Sequence, residues 1–348
     1  LPAGHILRMK PDGSEVQLWA GGLRNPLDVA FNEHGDLFTF DADMEWDVGC
    51  PWYMPNRVLH IVPGADFGWR RGTGRWPAWY PDTLPSVVDI GLASPTGVIF
   101  GHGAKFPAKY QKAFYICDWA YGRILAVHMT PQGASYTGTS ELFVGGRPLN
   151  VTDACIGPDG AMWFTTGGRG TQSGLYRVTY VNSLPKESGP NRFASRPAIA
   201  TIGHGNPETS PLHFLADNPG RQDFFGVRRS VYDSLQSKDA FVRQAARRVL
   251  EKYPLEDWPE LLLSEANLRS VLEGLEALAR LSRPESQKIM LELLLRRLLN
   301  SGSKWLSEEQ GIVTLRVFAL SFSRLGGPDE AQRQVSLKWL EPQYPSPS

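Results

Sequence analysis

Through residues 1 to about 180 the apolar positions come in short runs broken by Gly and Pro, almost empty of helical spacing, a pattern that predicts strands and turns. The runs repeat. Gly4-His-Ile-Leu-Arg-Met9, a Pro-Asp-Gly turn and Leu18-Trp-Ala-Gly-Gly22 match Gly122-Arg-Ile-Leu-Ala-Val127, a Pro-Gln-Gly turn and Leu142-Phe-Val-Gly-Gly146. Asp28-Val-Ala-Phe31 followed by Gly35 mirrors Asp153-Ala-Cys-Ile156 followed by Gly160, at the same spacing. A partial copy runs from Pro95 to Ile116, and Gly174-Leu-Tyr-Arg-Val178 begins another. Helix-free repeats of several short strands predict β-propeller blades, whose faces are buried only when neighbours stack. Roughly three blades plus the outer strands of one more are expected, where closed propellers have about four to eight, so further blades are expected before Leu1.

Residues 181 to about 220 read as a linker, punctuated by Pro185, Pro190, Pro197, Pro207, Pro211 and Pro219. Beyond it, over 221–342, the spacing turns helical. Phe241, Ala245 and Val249 share one face behind Asp239, and Leu268, Leu272, Leu275 and Leu278 or Ala279 share another. Pro284 opens a further helix, and Ser307-Glu-Glu-Gln310 is a capping box before the next. Gly326-Gly327-Pro328 ends that helix and starts one more. Amphipathic helices in antiparallel succession predict a HEAT-like α-solenoid. The expected fold class is thus multidomain β + α: a partial β-propeller over 1–180, a linker over 181–220 and a helical repeat domain.

Composition narrows the functions. The 348 residues carry 36 basic and 36 acidic side chains, which leaves no electrostatic footprint for nucleic acid. Cys50, Cys117 and Cys155 form neither CxxC nor CxxCH, so no c-type haem motif is present. No apolar run is long enough to span a bilayer.

Polar groups concentrate near the start. Arg24 and Asn25 stand in a turn fixed by Pro26, where the pair can hold a planar carboxylate or quinone through a fork of donors. The alternative is that Arg24 pairs with an inter-blade carboxylate and Asn25 caps the turn. Close behind come Asp41, Asp43, Glu45 and Asp47. Alternating carboxylates place oxygens on one side of an extended segment, as Ca²⁺ requires. They equally form an ion-pair network with Arg57, Arg70 and Arg71, and both readings stand. Trp46, Trp52, Tyr53, Trp69, Trp76, Trp79 and Tyr80 crowd one insertion, as a platform for a sugar ring or as packing anchors for a Pro-rich loop.

Gly22-Leu-Arg-Asn-Pro26, Pro63-Gly-Ala-Asp-Phe-Gly-Trp69, Ser94-Pro-Thr-Gly97 with Phe106-Pro107, and Gly157-Pro-Asp-Gly160 together carry a resemblance. In order and spacing they resemble the glucose/sorbosone dehydrogenase family, six-bladed propellers that use pyrroloquinoline quinone (PQQ) with calcium. The run from Phe164 to Tyr180, with the helical half behind it, resembles large multidomain proteins of planctomycete-type bacteria. In those, such a propeller precedes HEAT-like repeats and often a c-type cytochrome. The resemblance implies that Arg24 and Asn25 contact the quinone and that Asp41, Asp43, Glu45 and Asp47 align with the calcium loop. It also implies a sugar or alcohol substrate, a cytochrome c domain as electron acceptor, a periplasmic location, and a catalytic histidine before Leu1. Two positions depart from the family: no lysine lies near Trp119-Ala-Tyr-Gly122, and no arginine pair lies near Asn150-Val-Thr152. A non-catalytic propeller that binds carbohydrate or a protein, with a helical scaffold, is the competing expectation.

Overall fold

The computed structural model describes residues 4–181, 210–217, 224–281, 287–300 and 307–341. They belong to two units, one of Leu1–Ala78 with Thr83–Glu208 and one of Trp79–Asp82 with Thr209–Ser348.

The first unit is made of strands. In chain order these are β1 (Gly4–Arg8), β2 (Gln17–Leu23), β3 (Val29–Phe31), β4 (Leu37–Asp41), β5 (Asn56–Ile61), β6 (Ala65–Asp66), β7 (Trp69–Arg70) and β8 (Gly74–Arg75). After them come β9 (Val88–Gly91), β10 (Pro95–Phe100), the one-turn helix α1 (Ala108–Gln111), β11 (Phe114–Asp118), β12 (Arg123–Gln132), β13 (Ser135–Gly145), β14 (Val151–Ile156), β15 (Met162–Gly168) and β16 (Thr171–Val178). Strand order within the sheets follows chain order: β3-β4-β5-β9, β10-β11-β12-β13 and β14-β15-β16. The hairpin β1-β2 is joined by β6, which lies parallel to β2, and β7 and β8 form a ribbon of their own. Each repeat unit of the sequence therefore becomes an antiparallel meander, and β1-β2 corresponds to β12-β13 as β3-β4 does to β14-β15.

Burial explains why the sheets stack. Phe38 and Phe40 of β4, Val58 of β5, Phe100 of β10, and Phe114 and Ile116 of β11 form one apolar cluster. Tyr115, Ile124, Val151, Met162 and Phe164 form the next, between the β10–β13 and β14–β16 sheets. Successive side chains of β11 thus feed opposite clusters, as the two-residue period of a strand demands. The three cysteines are unpaired.

The second unit is helical: α2 (Ser210–Asp217), α3 (Phe224–Leu235), α4 (Ala240–Leu250), α5 (Leu261–Ser264), α6 (Leu268–Leu281), α7 (Gln287–Asn300), α8 (Glu308–Leu325) and α9 (Glu330–Leu340). Their ends follow the capping residues. Asp239 accepts from Phe241 N at 2.8 Å, and both Ser307 with Gln310 and Asp329 with Gln332 complete capping boxes. Phe241, Ala245, Val249, Leu272, Leu275, Leu278 and Ala279 are buried, as their spacing requires. One difference concerns the linker: α2 lies inside the Pro-rich stretch, because Leu212 and Ala216, four residues apart, bury into the helical core. Most of that stretch, and Pro284, lie outside the described residues. No helix among the described residues is long and apolar enough to cross a membrane.

Candidate functional site

Because each sheet is a sequential antiparallel meander, the turn after its second strand and the connection into the next sheet open on the same end. Turns 24–28, 42–55, 92–94, 119–122 and 146–150, with the β15–β16 hairpin, are all of this kind. Hydrogen bonds stitch them from sheet to sheet. Asn56 donates to Ala93 O at 2.7 Å, Trp119 N to Ser94 O at 3.0 Å, Asn150 Nδ2 to Trp119 O at 2.9 Å, and Trp119 Nε1 to Gly167 O at 2.7 Å.

A buried aspartate closes the second strand twice. Asp41 accepts the main-chain N–H groups of Arg24 (3.1 Å) and Asn25 (2.9 Å), and Asp118 accepts that of Ser94 at 2.8 Å. Each aspartate faces an arginine across the strand pair, Arg57 and Arg123 respectively. Each arginine also donates to a carbonyl, Arg57 to Phe67 O at 2.6 Å and Arg123 to Leu92 O at 2.7 Å. Burial pushes the Asp41 carboxyl up, while Arg57 and the two N–H groups pull it back. Arg57 is drawn down to about 10 by burial and by the neighbouring Arg75, against Asp41 and Asp43.

The remaining acids disperse. Asp43 is buried, accepts from Met44 N at 2.9 Å and lies 3.4 Å from Arg75 Nε. Burial pushes its carboxyl up, opposed by Arg75. Glu45 and Asp47 fall in a 3₁₀ turn, with Glu45 4.0 Å from Arg24 Nη1. Among the described residues no three His, Cys, Asp or Glu side chains come together as a metal would need. The four carboxylates do not fit a calcium centre here, because two arginines and main-chain donors already neutralise the inner two. Arg57 is one of the partners expected from the sequence. Arg75 was not foreseen, and Arg70 turns to Asp66 instead, at 2.6 Å.

Arg24 is different. Its side chain is only 18% exposed, yet its nearest carboxylate is the 4.0 Å contact with Glu45, and Trp46 covers one face at 5.2 Å. The turn that presents it is held close: a Cβ on Gly22, at φ +69°, would lie 2.6–2.7 Å from the main-chain nitrogens of Gly68 and Phe67. Asn25 is exposed beside it. At the same end the Arg169 guanidinium stands 5.0 Å from the Trp119 ring, on a hairpin whose arginine takes φ 50°. Burial, then Asp43 and Tyr121, push the Tyr53 phenol up. The Arg24 donors, without a hydrogen-bond partner among the described residues, and the exposed Asn25 amide fit a planar carboxylate- or carbonyl-bearing ligand such as a quinone.

Of the aromatic insertion, Trp69 is buried and Arg70 lies 4.0 Å from the ring of Trp76, whereas Trp46 and Trp52 are exposed. Sequence reasoning passed over Arg75, Asp118, Arg123, Arg169 and Asn150. The repeat itself carried a usable signal for two of them, since Asp118 and Arg123 occupy the strand ends that Asp41 and Arg57 occupy.

No protein-family profile and no curated protein matches the chain. Among solved structures it is similar to an oxidoreductase (glucose dehydrogenase) of Thermus thermophilus, with 22% identity, 46% of each chain covered and a TM-score of 0.37. It is also similar to the PQQ-bound aldose sugar dehydrogenase of Streptomyces coelicolor, at 18% identity, with 50% of this chain and 51% of that one covered and a TM-score of 0.37. For the soluble aldose sugar dehydrogenase of Escherichia coli in its apo form the values are 18%, 47% and 51%, with a TM-score of 0.35. The chain spans about half the length of these structures.

Proposed function

We propose that the sheet unit is a quinone-dependent dehydrogenase-like domain, a partial propeller that acts on a sugar or other alcohol. The observation that carries this reading is the half-buried Arg24 guanidinium, with no carboxylate closer than 4.0 Å among the described residues and the exposed Asn25 beside it. A buried cation without a close counter-charge is costly unless a ligand supplies one. Arg24 would grip a carboxylate of PQQ through its fork of donors, Asn25 would donate to a neighbouring oxygen, and Arg169 would add a second positive charge at the rim. When bound, the quinone supplies a two-electron acceptor for the alcohol carbon. Asp41 holds the Arg24–Asn25 main chain in place, so the two donors are fixed before any ligand arrives. Calcium has no part in this proposal. A c-type haem domain as electron acceptor, a periplasmic setting and a HEAT-like scaffold role for the helices belong to the same reading, and rest on the sequence resemblance.

Titration of the full chain with PQQ tests it, read by quenching of tryptophan fluorescence, since Trp46 lies against Arg24. The expected result is saturable quenching that Arg24→Gln weakens by about tenfold, the loss of a charge-assisted hydrogen bond. Dye reduction across a sugar panel should follow in the presence of quinone. Unchanged quenching in the Arg24→Gln variant would sink the assignment. A second reading, a non-catalytic carbohydrate- or protein-binding propeller, is favoured by one observation: Asp41 and Asp43 are both committed to structural partners. Saturable sugar binding with neither quenching by PQQ nor dye reduction would select it.

A further inference from the structure

A second concavity, of about 580 Å³, lies in the strand unit, and Arg24 and Asn25 are not among its lining residues. Its walls come from two sheets: Ile90 from β9, the last strand of one, and residues of β12 and β13 from the next. Strand pairing sets Leu125 opposite Leu142 and Arg123 opposite Gly145, so aliphatic side chains lie along the middle and guanidinium at one end. Gly145 and Gly146 leave that end open, where Arg147 and Tyr121 stand at the rim.

The charges in this groove are unequal. Arg123 spends Nε on Asp118 and Nη2 on Leu92 O, which leaves Nη1 without a partner among the described residues. Arg147 is exposed and forms no ion pair among the described residues. The one acid along the wall, Glu141, is taken by His128 at 2.8 Å and Lys109 at 3.0 Å. Leu142 meanwhile exposes 65% of its surface beside the half-buried Ile90. An apolar floor of a size usual for small-molecule sites, with guanidinium at its open end, calls for a ligand that is apolar along its body and anionic at its tip. Guanidinium favours planar oxyanions that it can bind in a fork.

We propose that this groove binds a small organic carboxylate with an apolar body, its carboxylate at Arg147 and Arg123 and its body over Ile90, Leu125 and Leu142. The groove does not include Arg24, and its binding is read in an Arg24→Gln background so that the two sites are kept apart.

Calorimetric titration of the full chain carrying Arg24→Gln with 2-naphthoate, its neutral analogue 2-naphthamide, and glucuronate tests the proposal. Naphthoate should bind at one site in that background, and naphthamide and glucuronate each at least about tenfold more weakly, the first lacking the charge and the second the apolar body. Adding Arg147→Gln should weaken naphthoate by about tenfold and adding Leu142→Ser several-fold. Both groove positions are exposed, so neither substitution threatens the fold. No binding of naphthoate in the Arg24→Gln background, equal binding of naphthamide or of glucuronate, or no effect of Arg147→Gln would each overturn it.

Discussion

Asp41 holds two main-chain N–H groups that have no other acceptor among the described residues, and Asp118 repeats the arrangement one sheet later for Ser94. A buried donor left without an acceptor loses its full solvation. Asp41→Ala should therefore lower the unfolding free energy by about 2–4 kcal/mol, read from the denaturant midpoint at constant slope. An unchanged midpoint would mean that the Arg24 turn finds other acceptors and that Asp41 is free for another task. Glu141 supplies a pH test at the same scale. His128, and then Lys109, hold its carboxyl down to about 2, below the 4.5 of an unconstrained glutamate. A depressed acid contributes stability above its unfolded value and loses it as pH falls, so this contribution should fade between about pH 4.5 and 2. Carbon-detected NMR titration of the Glu141 carboxyl should give a midpoint near 2. A midpoint near 4.5 would show that the His128 and Lys109 contacts are not populated in solution.

At the scale of elements, what was legible is what the backbone itself requires. The copies at Asp28 and Asp153 were readable because each aspartate accepts the N–H of the next residue, at 2.8 Å in both, at the start of β3 and within β14, the first strands of their sheets. Caps at Asp239 and Ser307 were equally plain, since a cap is local in sequence. Pairings between distant turns were not. Nothing near Asp43 points to Arg75, and nothing near Trp119 points to Gly167, because both contacts arise only when sheets stack. The same holds for α4 and α6, where helical spacing marked apolar faces but not the buried Arg247. Its Nη1 lies 2.5 Å from Glu273 Oε2 and 2.9 Å from Glu276 Oε2, with all three side chains buried. Arg247→Met should destabilise the helical unit by about 3–5 kcal/mol, because buried Glu276 loses this cation and Glu273 is left with Arg243, 2.9 Å away. Adding Glu273→Leu and Glu276→Leu should regain most of that loss in thermal melts. A triple variant no more stable than Arg247→Met would mean that the helices pack through these ion pairs and not merely around them.

At the scale of the whole molecule, each unit has apolar clusters of its own among the described residues. The strand unit buries Phe38, Phe114 and Ile116 in one cluster and Ile124, Val151 and Phe164 in another, while the helical cluster takes its residues from Leu212 onward. A chain with separate cores has no requirement to melt in one step, since the all-or-none approximation belongs to single domains. Two calorimetric transitions are expected. Ile124→Ala, at a fully buried position between sheets, should lower the transition of the strand unit. Leu275→Ala, equally buried on α6, should lower that of the helices. Each removes a large side chain from a packed core and should cost about 2–5 kcal/mol in its own transition. Near-ultraviolet circular dichroism can assign the two, because buried Trp69 reports on the strands and buried Trp258 on the helices. A single transition displaced by both substitutions would show that the cores unfold as one, and stability arguments for the Arg24 face would then have to include the helices.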